Sequence, residues 1–213
     1  MSNNCIKAVI FDLGNVLIDF DHRISARKIS KFTDKTAPEI FDLFFASPIT
    51  ALFEEGKISS RQFFLKIKEM LNLKISYEKF VSIWNEIFFV SKKNLGVYNL
   101  ARKLKNNYKV MLLSNINILH HEYIKEKFSL LDSFHNIVTS YELGISKPDH
   151  LIYQKALEIL RVQPGDVFYT DDRQELVESA RGLGIKGFVF KGLKQLKDDL
   201  LGVGISYPYG DAK

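Results

Sequence analysis

The sequence predicts an α/β protein in which a parallel sheet is flanked by helices and a helical bundle is inserted after the first strand. Five short apolar runs have the length of buried strands, and helix-like segments separate the last four, which is typical of a parallel sheet. The first two runs are about ninety residues apart, far more than an ordinary connection. That stretch must therefore contain structure of its own.

The predicted strands are runs of apolar and β-branched residues at positions 6–11, 109–113, 136–139, 167–170 and 187–190. Helical periodicity appears between them. One helical face carries Val97, Leu100, Ala101 and Leu104, and another carries Ile152, Ala156, Ile159 and Leu160. This alternation of strands and helices predicts that the strands run parallel.

The long stretch between the first two strands has a helical pattern throughout. Its apolar positions are Ile40, Leu43 and Phe44, then Phe63, Ile67, Met70 and Leu71, then Phe80, Ile83, Trp84, Ile87 and Phe88. We interpret the aromatic residues as packing, not as a cofactor site. A bundle inserted here stands over the carboxyl edge of the sheet, where ligands of open α/β folds bind. The predicted domains are a core of residues 1–18 and 92–213 and a helical cap of residues 19–91.

Composition and charge narrow the classes of function. The chain has 213 residues, 46% hydrophobic and 26% charged, as in a folded protein. The net charge of +5 is dispersed among acidic residues, so we expect no nucleic-acid partner. No apolar run approaches the ~20 residues of a membrane span. The single Cys5 and the lack of a signal-like start favour the cytoplasm, and we expect a monomer or a weak homodimer.

Polar side chains follow the first two predicted strands. Asp12 precedes Gly14 at the end of the first strand, where a carboxylate can be a nucleophile, a metal ligand or simply a turn former. Ser114 and Asn115 follow the second strand. Their hydroxyl and amide groups can bind phosphate oxygens, although for this pair in isolation helix capping is the favoured explanation.

Two further signals occur later in the chain. Lys147 precedes a helix that Asp149 could cap, and a lysine there can place a charge on a phosphoryl group or be ordinary surface charge. Asp171 and Asp172 end a buried strand, and their oxygens suit Mg²⁺; helix capping is the alternative. Polar residues thus occur at four places in this order along the chain, and their order favours a shared functional site over four unrelated caps or turns.

Together these segments resemble the haloacid dehalogenase superfamily, over about residues 6 to 190. The matching motifs are Phe11-Asp12-Leu13-Gly14-Asn15-Val16, Leu113-Ser114-Asn115, Ser146-Lys147-Pro148-Asp149 and Tyr169-Thr170-Asp171-Asp172. The resemblance implies a Rossmann-like core with a helical cap. It also implies a Mg²⁺-dependent phosphatase that acts on a small-molecule phosphate ester through an aspartyl-phosphate on Asp12.

The resemblance also implies roles for individual residues. The catalytic residues would be Asp12, Ser114 and Lys147. The phosphate would be bound by Asp12, Leu13, Gly14, Asn15, Ser114, Asn115 and Lys147. The metal would be held by Asp12, the Gly14 carbonyl, Asp171 and Asp172. The opening motif, residues 53–59 and the Leu-Ser-Asn turn further resemble the bacterial α-D-glucose-1-phosphate phosphatase group, which implies a sugar phosphate substrate.

The sequence departs from the family pattern at Gly14, where most phosphatases of the superfamily carry a general acid and base. Such a group is worth about 10² to 10⁴ in rate. An anomeric oxygen leaves more easily than an ordinary alkoxide, so we expect a hexose 1-phosphate substrate. Asp19 and Asp21 are the nearest carboxylates, but we interpret them as the start of the first cap helix. At Leu176 many relatives carry asparagine, and we expect local repacking there.

Two other functions remain open at this point. A 2-haloacid dehalogenase uses the same aspartate without an acid at position 14, but it needs no metal, which leaves the paired late aspartates unexplained. A catalytically weak module that binds phosphorylated ligands would explain Gly14, but not the retained nucleophile. The residues that contact the leaving group are expected in the cap and its facing loops. The candidates are Arg23, Glu54, Lys57, His120 and His121.

Overall fold

The computed structural model describes residues 5–206. Its strands are β1 (Ala8–Phe11), β2 (Asp19–Phe20), β3 (Phe88–Phe89), β4 (Lys109–Ser114), β5 (Asn136–Thr139), β6 (Val167–Asp171) and β7 (Lys186–Val189). Five of them form one parallel sheet in the spatial order β5-β4-β1-β6-β7. The five predicted strands are confirmed, with bounds that move by at most two residues.

Strand β1 lies at the centre of this sheet because all four of its residues are apolar and completely buried. Its last residue, Phe11, pairs with Leu112 of β4 and Thr170 of β6. The carboxyl ends of β4, β1 and β6 are therefore neighbours at one edge. Residues that follow these strands meet there, whatever their separation in the chain.

The stretch between β2 and β3 contains five α-helices, as the periodicity predicts. They are α1 (His22–Ile29), α2 (Ala37–Ala46), α3 (Pro48–Glu54), α4 (Ser60–Met70) and α5 (Tyr77–Asn85). They enclose a hydrophobic cluster of their own around Trp84, Phe53, Phe63 and Phe80. We call residues 19–91 the cap. The interpretation of the aromatic residues as packing is confirmed for this cluster.

The cap is not helical throughout, which corrects one expectation. Helix α5 ends at Asn85, and Phe88 belongs to β3, which pairs antiparallel with β2. This ribbon carries the chain out of the core and back into it. Met70 was predicted to lie on the buried face of α4 but is 45% exposed, because it is the last residue of that helix.

The remaining helices cover the two faces of the sheet. They are α6 (Lys92–Leu104), α7 (Ile118–Lys127), α8 (Ser140–Leu143), α9 (His150–Leu160), α10 (Gln174–Gly182) and α11 (Leu193–Gly202). One expectation about α9 is wrong. The buried stripe of α9 runs through Tyr153 and Leu157, and this rotation leaves Ile159 44% exposed. Within residues 5–206, no helix has the length and apolar character needed to cross a membrane.

Candidate active site

The ends of three adjacent strands open into one cavity of about 300 Å³ between the core and the cap. Asp12 follows β1, and its backbone N–H bonds the Thr170 carbonyl at 2.9 Å. Ser114 is the last residue of β4, and Asp171 is the last residue of β6. The core residues lining the cavity include Asp12, Gly14, Asn15, Ser114, Asn115, Lys147, Asp171 and Asp172. The structure thus brings together the predicted site residues, with Leu13 buried beside them.

A buried lysine bridges two of the carboxylates. Lys147 is only 3% exposed, and its Nζ donates to Asp12 Oδ1 at 2.7 Å, to Asp171 Oδ2 at 2.6 Å and to the Leu113 carbonyl at 3.0 Å. Its backbone is held by the Asn115 side chain, whose Oδ1 accepts from the Lys147 N–H and whose Nδ2 donates to the Lys147 carbonyl, both at 2.8 Å. Asn115 therefore positions the lysine.

The charged groups in this cluster shift one another's pKa values. Burial opposes the charged form of Lys147, but Asp12 and Asp171 outweigh it and raise the pKa of the ammonium. Burial raises the pKa of Asp12 to about 7, against the lowering effect of Lys147. Burial also opposes ionisation of Asp171, yet its pKa is lowered because Lys147, the Tyr169 hydroxyl and the Arg173 N–H all donate to it. Of the two carboxylates that share the lysine, Asp171 is thus better stabilised as an anion.

The same edge offers a cation site. Asp12, Asp171 and Asp172 each present a carboxylate oxygen, and these atoms lie within 4.8 Å of one another. Asn15, at a left-handed φ of 56°, donates through Nδ2 to Asp172 Oδ2 at 2.8 Å and orients it. Burial, with Asp171 nearby, raises the pKa of Asp172. The Lys147 ammonium does not balance three carboxylates, and the nearby Arg173 guanidinium is already paired with Glu175. A donor set made only of oxygen suits Mg²⁺.

The Phe20 ring occupies the space where a side chain at position 14 would lie. A Cβ atom at Gly14 would lie 2.8 Å from Cε1 of Phe20, which β2 places against this turn. The two nearby carboxylates do not replace the acid. Asp19 accepts from Lys93 Nζ at 2.7 Å and from Asn94 Nδ2 at 3.2 Å, and Asp21 caps α1 by accepting from the Arg23 N–H at 2.9 Å. Neither is among the residues lining the cavity.

Of the five candidates for leaving-group contacts, Glu54 lines the main cavity, and both Glu54 and His120 line a smaller adjoining cavity of about 70 Å³. Burial lowers the pKa of His120 to about 3, and its ring stacks on Trp84. The other three lie outside both cavities. Arg23 lies over the Phe41 ring, Lys57 pairs with Glu55, and His121 bonds the Tyr141 hydroxyl.

Several cap residues in the cavity wall escaped sequence reasoning. They are Phe20, His22, Phe44, Ser47, Thr50, Ala51 and Trp84. Trp84 was interpreted as packing, and it does pack, yet its edge also faces the cavity. Periodicity finds the apolar stripe of a helix but not the part of that stripe that borders a ligand site. Leu176 also lines the cavity, and its carbonyl accepts from the Tyr153 hydroxyl at 2.8 Å.

The fold and the site define a capped α/β enzyme whose reactive centre is a buried aspartate beside a lysine and a cation site. The family model of haloacid dehalogenase-like hydrolases matches residues 6–184. The chain belongs to this family of hydrolases, and Mg²⁺ fits the family.

Similar proteins include two named phosphatases. A D-ribitol-5-phosphate phosphatase of Bacteroides thetaiotaomicron is 25% identical over 86% of this chain and 91% of its own length. A sesquiterpene phosphatase of Aspergillus oryzae is 23% identical over 85% and 88%. A family enzyme of Bacteroides thetaiotaomicron, solved with magnesium and inorganic phosphate, has a TM-score of 0.76 and 29% identity over 87% of this chain and 94% of its own. An L-2-haloacid dehalogenase, at 18% identity and a TM-score of 0.66, shares the fold alone.

Proposed function

We propose that this protein is a magnesium-dependent phosphatase that hydrolyses a small phosphorylated metabolite through an aspartyl-phosphate on Asp12. The observation that carries the proposal is the buried Lys147 ammonium, which holds Asp12 and Asp171 beside a third carboxylate at the end of the central strand. This cluster keeps a nucleophile, a charge for the phosphoryl oxygens and a cation site within one cavity. The phosphatase names of its relatives support the same reaction.

Each predicted residue has a place in this proposal. The phosphoryl group would accept hydrogen bonds from Ser114 and from the backbone of residues 13–15, and the Lys147 ammonium would balance part of its charge. Mg²⁺ would be held by Asp12, the Gly14 carbonyl, Asp171 and Asp172, and its charge would neutralise the phosphoryl oxygens and favour the ionised form of Asp12. Asn115 would act through the Lys147 backbone that it holds.

The reaction would proceed by nucleophilic displacement on phosphorus. A carboxylate oxygen of Asp12 attacks, the bond to the leaving oxygen breaks, and water then hydrolyses the aspartyl-phosphate. Lys147 would stabilise charge on the transferring group as a fixed positive charge, because Asp12, Asp171 and the Leu113 carbonyl hold its ammonium in place. Burial of the cluster strengthens this stabilisation.

We propose a sugar or polyol phosphate as substrate, with hexose 1-phosphates and polyol 5-phosphates as the two candidates. The cap wall is partly polar. Among the described residues, the buried Thr50 hydroxyl and the Trp84 indole N–H have no hydrogen-bond partner, and both residues line the cavity. Unpaired buried polar groups are costly, so hydroxyl groups on the substrate would complement them better than a terpenoid chain would. A relative named for ribitol 5-phosphate supports the polyol candidate.

The test is phosphate release from a panel of esters with and without Mg²⁺, including hexose 1-phosphates, hexose 6-phosphates and ribitol 5-phosphate. The expected result is magnesium-dependent turnover that falls at least about 10³-fold in Asp12→Asn, because the nucleophile is lost. Asp132→Asn, an exposed carboxylate remote from the cavity, is the matched control and should keep full activity. Ligand binding without turnover would support the binding-module alternative. Halide release from 2-haloacids without Mg²⁺ would instead indicate a dehalogenase.

A further inference from the structure

Glu54 is a carboxyl group of the cap that faces the cavity and has no part in the reaction described so far. It is the last residue of α3 and lines both the main cavity and the small adjoining one. No side chain or backbone N–H of residues 5–206 donates a hydrogen bond to its carboxylate. A half-buried carboxyl group that accepts no hydrogen bond is costly unless the ligand or the chemistry uses it.

The core holds Glu54 in position. The Ser140 hydroxyl donates to the Glu54 carbonyl at 2.5 Å and also accepts from the Ile116 N–H at 3.0 Å. Two residues further on, Gly56 has a φ of +62°, and a Cβ there would lie 2.2 Å from the Tyr141 carbonyl oxygen. This close approach joins the end of α3 to α8, the short helix that follows β5. Glu54 is therefore a cap residue whose backbone is fixed to the core beside the reacting groups.

Glu54 also lies across from the position where an acid is missing. The Phe20 ring occupies the space that a side chain at Gly14 would need. The small cavity is lined by Gly14, Phe20 and Ser114 of the turn and the core, and also by Glu54 of the cap. A leaving-group oxygen bound beside Ser114 would thus be close to a carboxyl group of the cap, although position 14 offers none.

We propose that Glu54 is the general acid and base of the reaction, an inference that rests on the proposed phosphatase function. In the first step Asp12 bonds to phosphorus, the bond to the leaving oxygen breaks, and the protonated Glu54 gives its proton to that oxygen, releasing an alcohol. In the second step the Glu54 carboxylate takes a proton from the attacking water. The bond between Asp12 and phosphorus breaks, inorganic phosphate leaves, and both carboxyl groups return to their starting states.

The electrostatic surroundings suit this double role. Burial raises the pKa of Glu54 to about 7, with Arg173 lowering it and Glu55 raising it further. His22 lines the same cavity but is uncharged at neutral pH, because burial lowers its pKa to about 4. The other charged groups on the cavity are Arg173, Asp172 and the cluster of Lys147, Asp12 and Asp171. Both forms of Glu54 are therefore populated near pH 7, where acid and base catalysis are most effective.

An acid supplied by the cap widens the range of substrates. Without any acid, only good leaving groups such as an anomeric oxygen are transferred quickly. With Glu54 as the acid, esters of ordinary alcohols, such as a polyol 5-phosphate, react as well. The leaving-group dependence of the rate therefore measures the role of Glu54 directly.

The test compares Glu54→Gln with the matched neighbour variant Glu55→Gln on two substrates in the presence of Mg²⁺. On ribitol 5-phosphate or glycerol phosphate, Glu54→Gln should lower kcat by about 10² to 10⁴-fold. On p-nitrophenyl phosphate, whose leaving group needs no proton, it should release about one equivalent of nitrophenolate in a burst and then turn over slowly. Glu55→Gln loses the ion pair with Lys57 and the smallest of the three influences on the pKa of Glu54, so it should stay within a few-fold of wild type on both substrates.

Several outcomes would overturn the proposal. One is a Glu54→Gln protein with wild-type kcat on the alkyl esters. Another is an equal loss on both substrates with no burst, which would indicate a binding role. If Glu54→Gln does not fold, judged by circular dichroism, Glu54→Asp provides the test. Because the general acid must be protonated, kcat on alkyl esters should fall as pH rises above about 7, both in wild type and in Glu54→Asp. A Glu54→Asp protein whose kcat does not fall in this range would contradict the assignment. Absence of turnover in the wild type would contradict the proposed function itself, and the inference with it.

Discussion

The core and cap halves of the cavity differ in how their polar groups are satisfied. On the core side, Lys147 makes three hydrogen bonds and Asp171 accepts from three groups. On the cap side, Thr50 and Trp84 have buried polar atoms without partners among the described residues, and Glu54 receives no hydrogen bond from them. The core half is thus organised in advance for phosphate chemistry, whereas the cap half becomes satisfied only when a ligand fills it.

Breaking the core network should have the largest effect. Lys147→Met would remove the ammonium between Asp12 and Asp171 and leave two buried carboxylates uncompensated. We expect kcat to fall by at least about 10²-fold, and the free energy of unfolding in the absence of Mg²⁺ to fall by about 3 to 5 kcal/mol. The measurements are steady-state kinetics and urea denaturation with chelator present.

The control for this variant is Lys155→Met, which breaks the exposed ion pair with Glu158 on α9. It should change the free energy of unfolding by less than about 1 kcal/mol. A Lys147→Met protein as stable and as active as Lys155→Met would show that the buried network is not the organised half of the site.

Glu54, the carboxyl group of the cap, should make the free energy of unfolding depend on pH. The pKa of Glu54 is raised in the folded state from 4.5 to about 7, so the folded protein holds the proton more tightly than the unfolded chain. The free energy of unfolding therefore loses a contribution of about 3 kcal/mol as pH rises through this window. Glu54→Gln has no such loss, so its stability relative to wild type should increase from pH 4.5 to pH 8. Urea denaturation across this range is the measurement, and a constant difference would mean that the carboxyl is not buried.

The smallest effect should come from a single hydroxyl of the cap wall. Thr50→Val keeps the shape of the side chain and removes its unpaired oxygen. We expect the free energy of unfolding to rise by about 1 kcal/mol and KM for a hydroxylated substrate to rise about tenfold, with inhibition by inorganic phosphate unchanged. Thr33→Val is the matched variant, because the Thr33 hydroxyl bonds the Leu71 carbonyl outside the cavity. It should lose stability and leave KM unaltered, and the same pattern in Thr50→Val would contradict the proposed ligand contact.

Much of the core half was predictable. Asp12, Ser114, Asp171 and Asp172 each follow a short apolar run, and parallel strands carry their end residues to one edge by geometry alone. Lys147 was predictable only from its motif, because its ammonium reaches the site from a loop. Ile159 and Phe88 show where periodicity fails: it specifies which residues can share a face, but neighbouring packing decides how that face is rotated and where the helix ends.

The sequence by itself determined the parallel sheet, the helical insertion and the order of polar residues at the strand ends, because these depend on local periodicity and on the direction of the chain. Only the tertiary structure decided that Phe20 fills the space beside Gly14 and that Glu54 faces the same cavity. Those relations depend on the angle at which the cap packs, which Ser140 and Gly56 set through contacts between distant segments. No local pattern encodes such an angle, since it results from the fit of two separately formed surfaces.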